Sequence, residues 1–137
     1  MGRAVVHFEI EGLDGPRLRS FYREMFDWKA EDAEYGLIAR ADTSSADGQG
    51  IGGAIAQVPE VPSTTWKGKT RAEGHVGGVT VFVEVPDVEA ALVRAESLGG
   101  KRMLGPDPLF PGVEIGRFAD PEGHLIGVIT EQRPAAS

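Results

Sequence analysis

The chain has 137 residues, 41% of them hydrophobic, which is enough for a folded core and fits a single domain. Lys and Arg number 14 against 21 Asp and Glu, a net charge of −7 with no block of either sign, which argues against nucleic acid as a partner. With no cysteine, disulfides, thiolate metal sites and cysteine nucleophiles are excluded. No apolar run approaches the roughly 20 residues of a membrane span. Met1-Gly2-Arg3 leads into a strand pattern without an apolar leader, so a cytoplasmic location is the expectation.

In chain order, Val6-His7-Phe8-Glu9-Ile10 alternates as a strand, with Val6, Phe8 and Ile10 on a packing face and Val5, His7 and Glu9 on the other. Asp14 stands where a helix N-cap would, Pro16 fits the first turn, and Leu18, Phe21, Tyr22 and Met25 supply an apolar stripe. Extended segments are predicted over 28–30, 35–41 and 51–57. The stretch 59–78, rich in Pro, Gly, Thr and charge and containing Trp66, reads as a connector. Val then occupies every odd position from Val79 to Val85, a face expected to be buried against the following helix, leaving Thr80, Phe82 and Glu84 on the opposite face. Asp87 caps a second helix with Glu89 in its first turn, a stripe of Val88, Ala91, Leu92, Ala95 and Leu98, and a Gly99-Gly100 stop. Further extended segments are predicted over 101–104, 113–119 and 125–131. Between the first two, residues 105–112 carry three prolines and Phe110 and read as a stiff, irregular connection in preference to a lid.

The chain says one thing twice. Shifting the first helix cap onto the second (87 − 14 = 73) lays His7 over Thr80, and the same shift lays Asp47-Gly48-Gln49-Gly50 over Asp120-Pro121-Glu122-Gly123 (120 − 47 = 73). The repeated unit is β-α-β-β-β: module one over 4–58, a connector over 59–78 and module two over 79–131, together one domain. Asp-Pro-Glu-Gly suits a type I turn, with Pro second and Gly fourth.

Together with the opening strand, Phe21-Tyr22-Arg23-Glu24-Met25-Phe26-Asp27-Trp28, Leu98-Gly99-Gly100 and Phe118-Ala119-Asp120-Pro121-Glu122-Gly123-His124 carry a resemblance to the vicinal oxygen chelate superfamily, also called the glyoxalase/bleomycin resistance/dioxygenase superfamily. The resemblance runs from Val5 to Glu131. It implies an α+β fold in which two βαβββ modules form a half-open, cup-shaped mixed sheet. The metal enzymes of that superfamily place one ligand on the first and one on the last strand of each module, positions that fall here on His7, Ala54, Thr80 and Gly127. Ala54 and Gly127 have no side-chain donor and a neutral Thr hydroxyl is a poor ligand, so neither a metal nor another cofactor is expected. Glyoxalase I and extradiol dioxygenase chemistry are thereby disfavoured. A displaced metal site would have to draw on His7 and Glu131, with Glu9.

The expected ligand-binding face carries His7 as polar handle and Phe82 as apolar platform, with Glu9, Thr80 and Glu84 beside them. Ala54 and Gly127, with Gly52 and Ala56, open volume, and Trp28 and Phe110 offer further rings. His75 and His124 read as surface histidines. Ser44 and Ser45 lie in a polar loop with no Gly-x-Ser-x-Gly elbow, so no serine nucleophile is expected. The resemblance to drug-sequestering, metal-free relatives implies a homodimer that binds a small organic molecule, a drug or a metabolite, cationic or aromatic. The alternative is a lyase, isomerase or oxygenase with a displaced metal site or His7–Glu9 acid–base chemistry, and a third reading is a structural or partner-binding module.

Overall fold

The computed structural model describes residues 2–30 and 38–132. In chain order the elements are β1 (Val5–Gly12), α1 (Gly15–Phe26), β2 (Lys29–Ala30), β3 (Ile38–Asp42), β4 (Gly52–Gln57), β5 (Gly78–Val85), α2 (Val88–Ser97), β6 (Lys101–Phe110), β7 (Val113–Ala119) and β8 (Leu125–Thr130). The βαβββ order therefore occurs twice. The part of the predicted third segment over 35–37 lies outside the described residues. The chain forms two compact units: Val6–Pro62 with Lys69–Val81, and the residues up to Val5 with Ser63–Gly68 and the chain from Phe82 onward.

In the first unit the strands run β2-β3-β4-β1, with β1 parallel to β4 and β3 antiparallel to it. The Asp14 carboxylate accepts the Arg17 N–H at 3.1 Å, satisfying one of the orphan donors at the start of α1. The helix ends at Asp27, whose left-handed φ of 57° lets its N–H reach the Arg23 carbonyl. Leu18 and Tyr22 pack on Ala30, Ala41 and the fully buried Ile55. The predicted stripe is corrected here. Gly15, Arg19 and Tyr22, spaced by three and four residues, centre the inward side, which turns Phe21 (56% exposed) and Met25 (61%) outward. Phe8 lies on the α1 side as predicted and fills the place of a side chain at Gly53, where a Cβ would collide with its ring.

In the second unit the order is β5-β8-β7-β6, with β5 parallel to β8 and the remainder antiparallel. Asp87 caps α2 by accepting the Ala90 N–H at 2.9 Å, and the helix stops at Leu98 before Gly99, whose φ is +95°. Val88 and Leu92 pack on Val85 and Val128, with Ala91 and Phe118 at the margin. Burying each large aliphatic side chain stabilises the fold by about 1.5–3 kcal/mol. Gly116 lets α2 approach, since a Cβ there would stand 2.9 Å from both Leu92 and Val88. Val83 and Val85 face α2, but Val79 (69% exposed) and Val81 (36%) are not buried as predicted. A ten-residue helix spans about 15 Å and covers only some four or five residues of strand.

Residues 105–110 are strand, not the predicted irregular connection. β6 continues to Phe110 opposite Val113, with register shifts around Leu104, Asp107 and Phe110. As the last strand in its order β6 tolerates Pro106 and Pro108, which have no N–H for a ladder. The connector is tied to this strand by Ser63 Oγ and Thr65 Oγ1, which donate to the two Asp107 carboxylate oxygens at 2.6 and 2.8 Å.

The two modules repeat with one adjustment. Their parallel pairs have the same offset, His7 opposite Gly52 (52 − 7 = 45) and Phe82 opposite Gly127 (127 − 82 = 45). The turns do not superpose at 73. Gly48 N–H bonds to the Ser45 carbonyl and Ser45 N–H to the Gln49 carbonyl, as Gly123 does to Asp120 and Asp120 to His124, so Ser45 takes the place of Asp120 (120 − 45 = 75). The link between β3 and β4 is longer than that between β7 and β8, and the extra residues shift the turn but not the strands.

Candidate functional site

Strand pairing sorts each module into a face under the helix and a face away from it. In the first unit His7 shares the outer face with Glu9, Gly52, Ala54 and Ala56, and with Ile38 and Arg40, which pair with Ala56 and Ala54. His7 is half-buried, and Glu9 is 7% exposed. Ala54 and Ala56 are buried, whereas a Cβ at Gly52 would meet nothing within 4 Å, so space is open directly across from His7. Thr80, buried at 5% exposure, sits on β5 between the exposed Val79 and Val81 and so faces the other way.

Trp28 is elsewhere. Its ring stacks on Tyr22 at 5.2 Å and contacts Phe26 at 5.3 Å and Phe8 at 5.7 Å, which places it in an aromatic cluster on the α1 side, opposite His7. His75 is not the surface histidine expected from its loop. Its Nε2 lies 3.1 Å from Glu11 Oε1, with both side chains largely buried, and Glu11 follows His7 and Glu9 on the same face of β1. Only a contact across 64 residues reveals this pair. Gly77 makes it possible, because with φ +89° it lies so close to the Glu11 carbonyl that no Cβ would fit.

In the second unit the outer face carries Phe82, Glu84, Gly127 and Ile129, with Ile115 and Arg117 paired to Ile129 and Gly127. Phe82 is 2% exposed and its ring occupies the space above Gly127, where a Cβ would collide with it. Gly127 therefore opens no free volume, contrary to expectation. The Arg117 guanidinium carbon stands over the Phe82 ring, 5.3 Å from its centroid, in cation–π contact. Glu84 is 8% exposed. Phe110, 44% exposed, ends β6 opposite Val113.

A groove of ≈ 380 Å³ lies on the other side, between α2 and the strands, lined almost wholly by apolar groups including Val83, Val85, Leu98 and Ile126. Its rim includes Asp120, whose carboxyl is held below its ordinary value mainly by the His124 N–H and also by the Glu122 N–H and the His124 ring. His124 itself is exposed and pairs with Asp120 at 3.0 Å.

The residues do not fit a divalent metal. Of the four positions implied by the resemblance only His7 is a good ligand, and among the described residues no three His, Cys, Asp or Glu side chains are grouped to hold an ion. Glu131 lies beyond β8 near Arg3, at 3.9 Å.

Two modules of βαβββ order are the α+β fold of the vicinal oxygen chelate superfamily. The chain belongs to the glyoxalase-like domain family, whose model matches residues 7–129, within the glyoxalase/bleomycin resistance/dioxygenase superfamily. Solved structures of the same fold include a variant of Streptomyces coelicolor methylmalonyl-CoA epimerase in complex with 2-nitronate-propionyl-CoA, at 20% identity over 97% of this chain and 99% of that one, with a TM-score of 0.57. A superfamily member from Vibrio splendidus 12B01 is 14% identical over 95% and 100% of the two chains, with a TM-score of 0.58. A hypothetical protein from Bacillus halodurans C-125 is 13% identical over the full length of both, with a TM-score of 0.62. At these identities the likeness is one of fold. A search of curated proteins finds no match.

Proposed function

We propose that this protein binds a small organic molecule on the outer strand faces without a divalent metal, sequestering a drug or metabolite as a cytoplasmic homodimer. The observation that carries the reading is the pairing of His7 with the bare Gly52: a polar handle beside open space, on a face where Ala54 removes a metal donor. Glu9 and Thr80 supply further hydrogen-bonding groups in the same unit. The likeness in fold to an epimerase solved with a bound CoA derivative is consistent with a small-molecule site. The test is binding of a small aromatic and heterocyclic compound panel, followed by Trp fluorescence, in wild type and in Gly52→Leu. Filling the space across from His7 is expected to abolish binding, with equal affinities in wild type and chelator-treated protein. Unchanged binding in Gly52→Leu, or binding that requires an added divalent ion, contradicts the proposal.

A second reading is favoured by one observation, the burial of Glu9 on the face that carries His7. Glu9 lies two positions from His7 along the same strand face, so a lyase or isomerase that moves a proton between carbon atoms is the enzymatic alternative. Exchange of a carbon-bound substrate proton with deuterated solvent, abolished in Glu9→Gln, would identify it.

A further inference from the structure

We infer that the outer side of α1, with Phe21 at its middle and Arg17 and Glu24 on either side of it, is the surface through which two copies of this chain pair, their helices antiparallel about a two-fold axis beside Phe21. The inference rests on the reading of the protein as a homodimer, and it names the surface.

Phe21 is 56% exposed, Met25 61% and Phe26 54%, three large apolar side chains left open on one helix. The outer side of α2 is different. Within Val88–Ser97 only Val93 is a large apolar side chain that is exposed, and Glu89 and Glu96 both pair with Arg102 of their own unit. Among the described residues, by contrast, neither the Arg17 guanidinium nor the Glu24 carboxylate has a partner. The helix of the first module thus carries apolar surface and two unanswered charges.

Those charges also run against the helix. Arg17 stands in the first turn, at the positive end of the helix dipole, and Glu24 in the last turn, at the negative end, so each sign is the disfavoured one at its place. A partner outside the helix gives both a use. Arg17 lies four positions before Phe21 and Glu24 three after it, spacings that put all three on one side of the helix. Turning a second helix end for end about an axis beside Phe21 sets each Arg17 against Glu24 of the partner copy and brings the two Phe21 rings together. An isologous contact requires self-complementarity of this kind. A helix of 12 residues is about 18 Å long, so the contact falls at the low end of interface size and the dimer is expected to dissociate on dilution.

Sedimentation equilibrium of the full chain across a dilution series tests this. Wild type is expected to pass from dimer to monomer, and Phe21→Lys to be a monomer throughout. Arg17→Glu and Glu24→Arg, which set like charges opposite each other, should each raise the dimer dissociation constant about tenfold or more, and they carry the test if Phe21→Lys unfolds. Each gives the helix dipole the charge it prefers, so a weaker dimer cannot be put down to a frayed helix. An equimolar mixture of the two charge variants, like the double variant, brings opposite charges together again and should return to within about threefold of wild type. A dissociation constant within about twofold of wild type in every single variant overturns the assignment and leaves the homodimer with another surface. A mixture no tighter than either charge variant alone overturns it as well. Wild type that is monomeric at every concentration overturns the homodimer reading itself, and this inference with it.

Discussion

The two modules share topology, helix caps and strand offset, yet each sets a glycine of its last strand opposite a residue of its first strand and uses that glycine in the opposite way. In the first, His7 faces Gly52 and the space beside the glycine is open; in the second, Phe82 faces Gly127 and its ring fills that space. Their helix sides differ in the reverse sense. Under α1, aromatic rings from Phe8, Tyr22 and Trp28 pack over small strand residues, whereas α2 sets Val88 and Leu92 on Val85 and Val128 and leaves a groove beside Ala91 and Ala95. One backbone plan thus offers a polar opening in one copy and a capped ring in the other, decided by the residue opposite a glycine.

The largest effect that sharpens this comparison is expected at the separate cores. Ile55→Ala and Leu92→Ala, each at a fully buried site in its own unit, should each cost about 3 kcal/mol or more in urea unfolding. A loss under about 1 kcal/mol at either would deny that module a core of its own. Next come the facing glycines. Gly127→Ala should destabilise by about 2 kcal/mol through overpacking against Phe82, while Gly52→Ala should be neutral or slightly stabilising; equal effects would erase the open-versus-filled distinction. Smaller and equal losses of about 1 kcal/mol are expected for Asp14→Ala and Asp87→Ala, because the two caps do the same thing.

The smallest effect is a pH dependence at the turns. Asp120 is held below its ordinary value, first by the His124 N–H, and Asp47 below its own, first by the Ser45 hydroxyl. A depressed folded value means each contributes stability at neutral pH that is lost as pH falls through the carboxylate range. Melting curves between neutral and acid pH should therefore show a shallower acid decline in Asp120→Asn and Asp47→Asn. An unchanged acid limb in both variants would show that neither turn carries that dependence.

Much of this plan is legible along the chain. Strict alternation from Val79 to Val85 placed Phe82 on the face away from α2, and aspartates ahead of apolar stripes marked both helix starts, because these signals are local. What escaped was set by distance or by partners. Arg19 on the inner side of α1 reads as a surface charge, and its burial rotates the stripe away from Phe21. The prolines of 105–112 argue against a strand until β6 proves to be an edge. His75 with Glu11, Ser63 and Thr65 with Asp107, and Arg117 over Phe82 join residues tens of positions apart, with no spacing rule to announce them. The outer strand faces were therefore foreseen as faces, but which of them is open and which filled was not.

The central claim is that ligand meets the outer strand faces and needs no metal. Chelator-stripped protein with labelled alanine and valine methyls, titrated with a mixture of small carboxylates and heterocycles, separates the two sides of the strands residue by residue. Ala54 and Ala56 report the outer face and Val83, Val85 and Val128 the α2 side. The prediction is saturable shifts at Ala54 and Ala56 with the valines unmoved. Shifts confined to Val83, Val85 and Val128, or shifts at Ala54 that arise only after a divalent metal is restored, would contradict it.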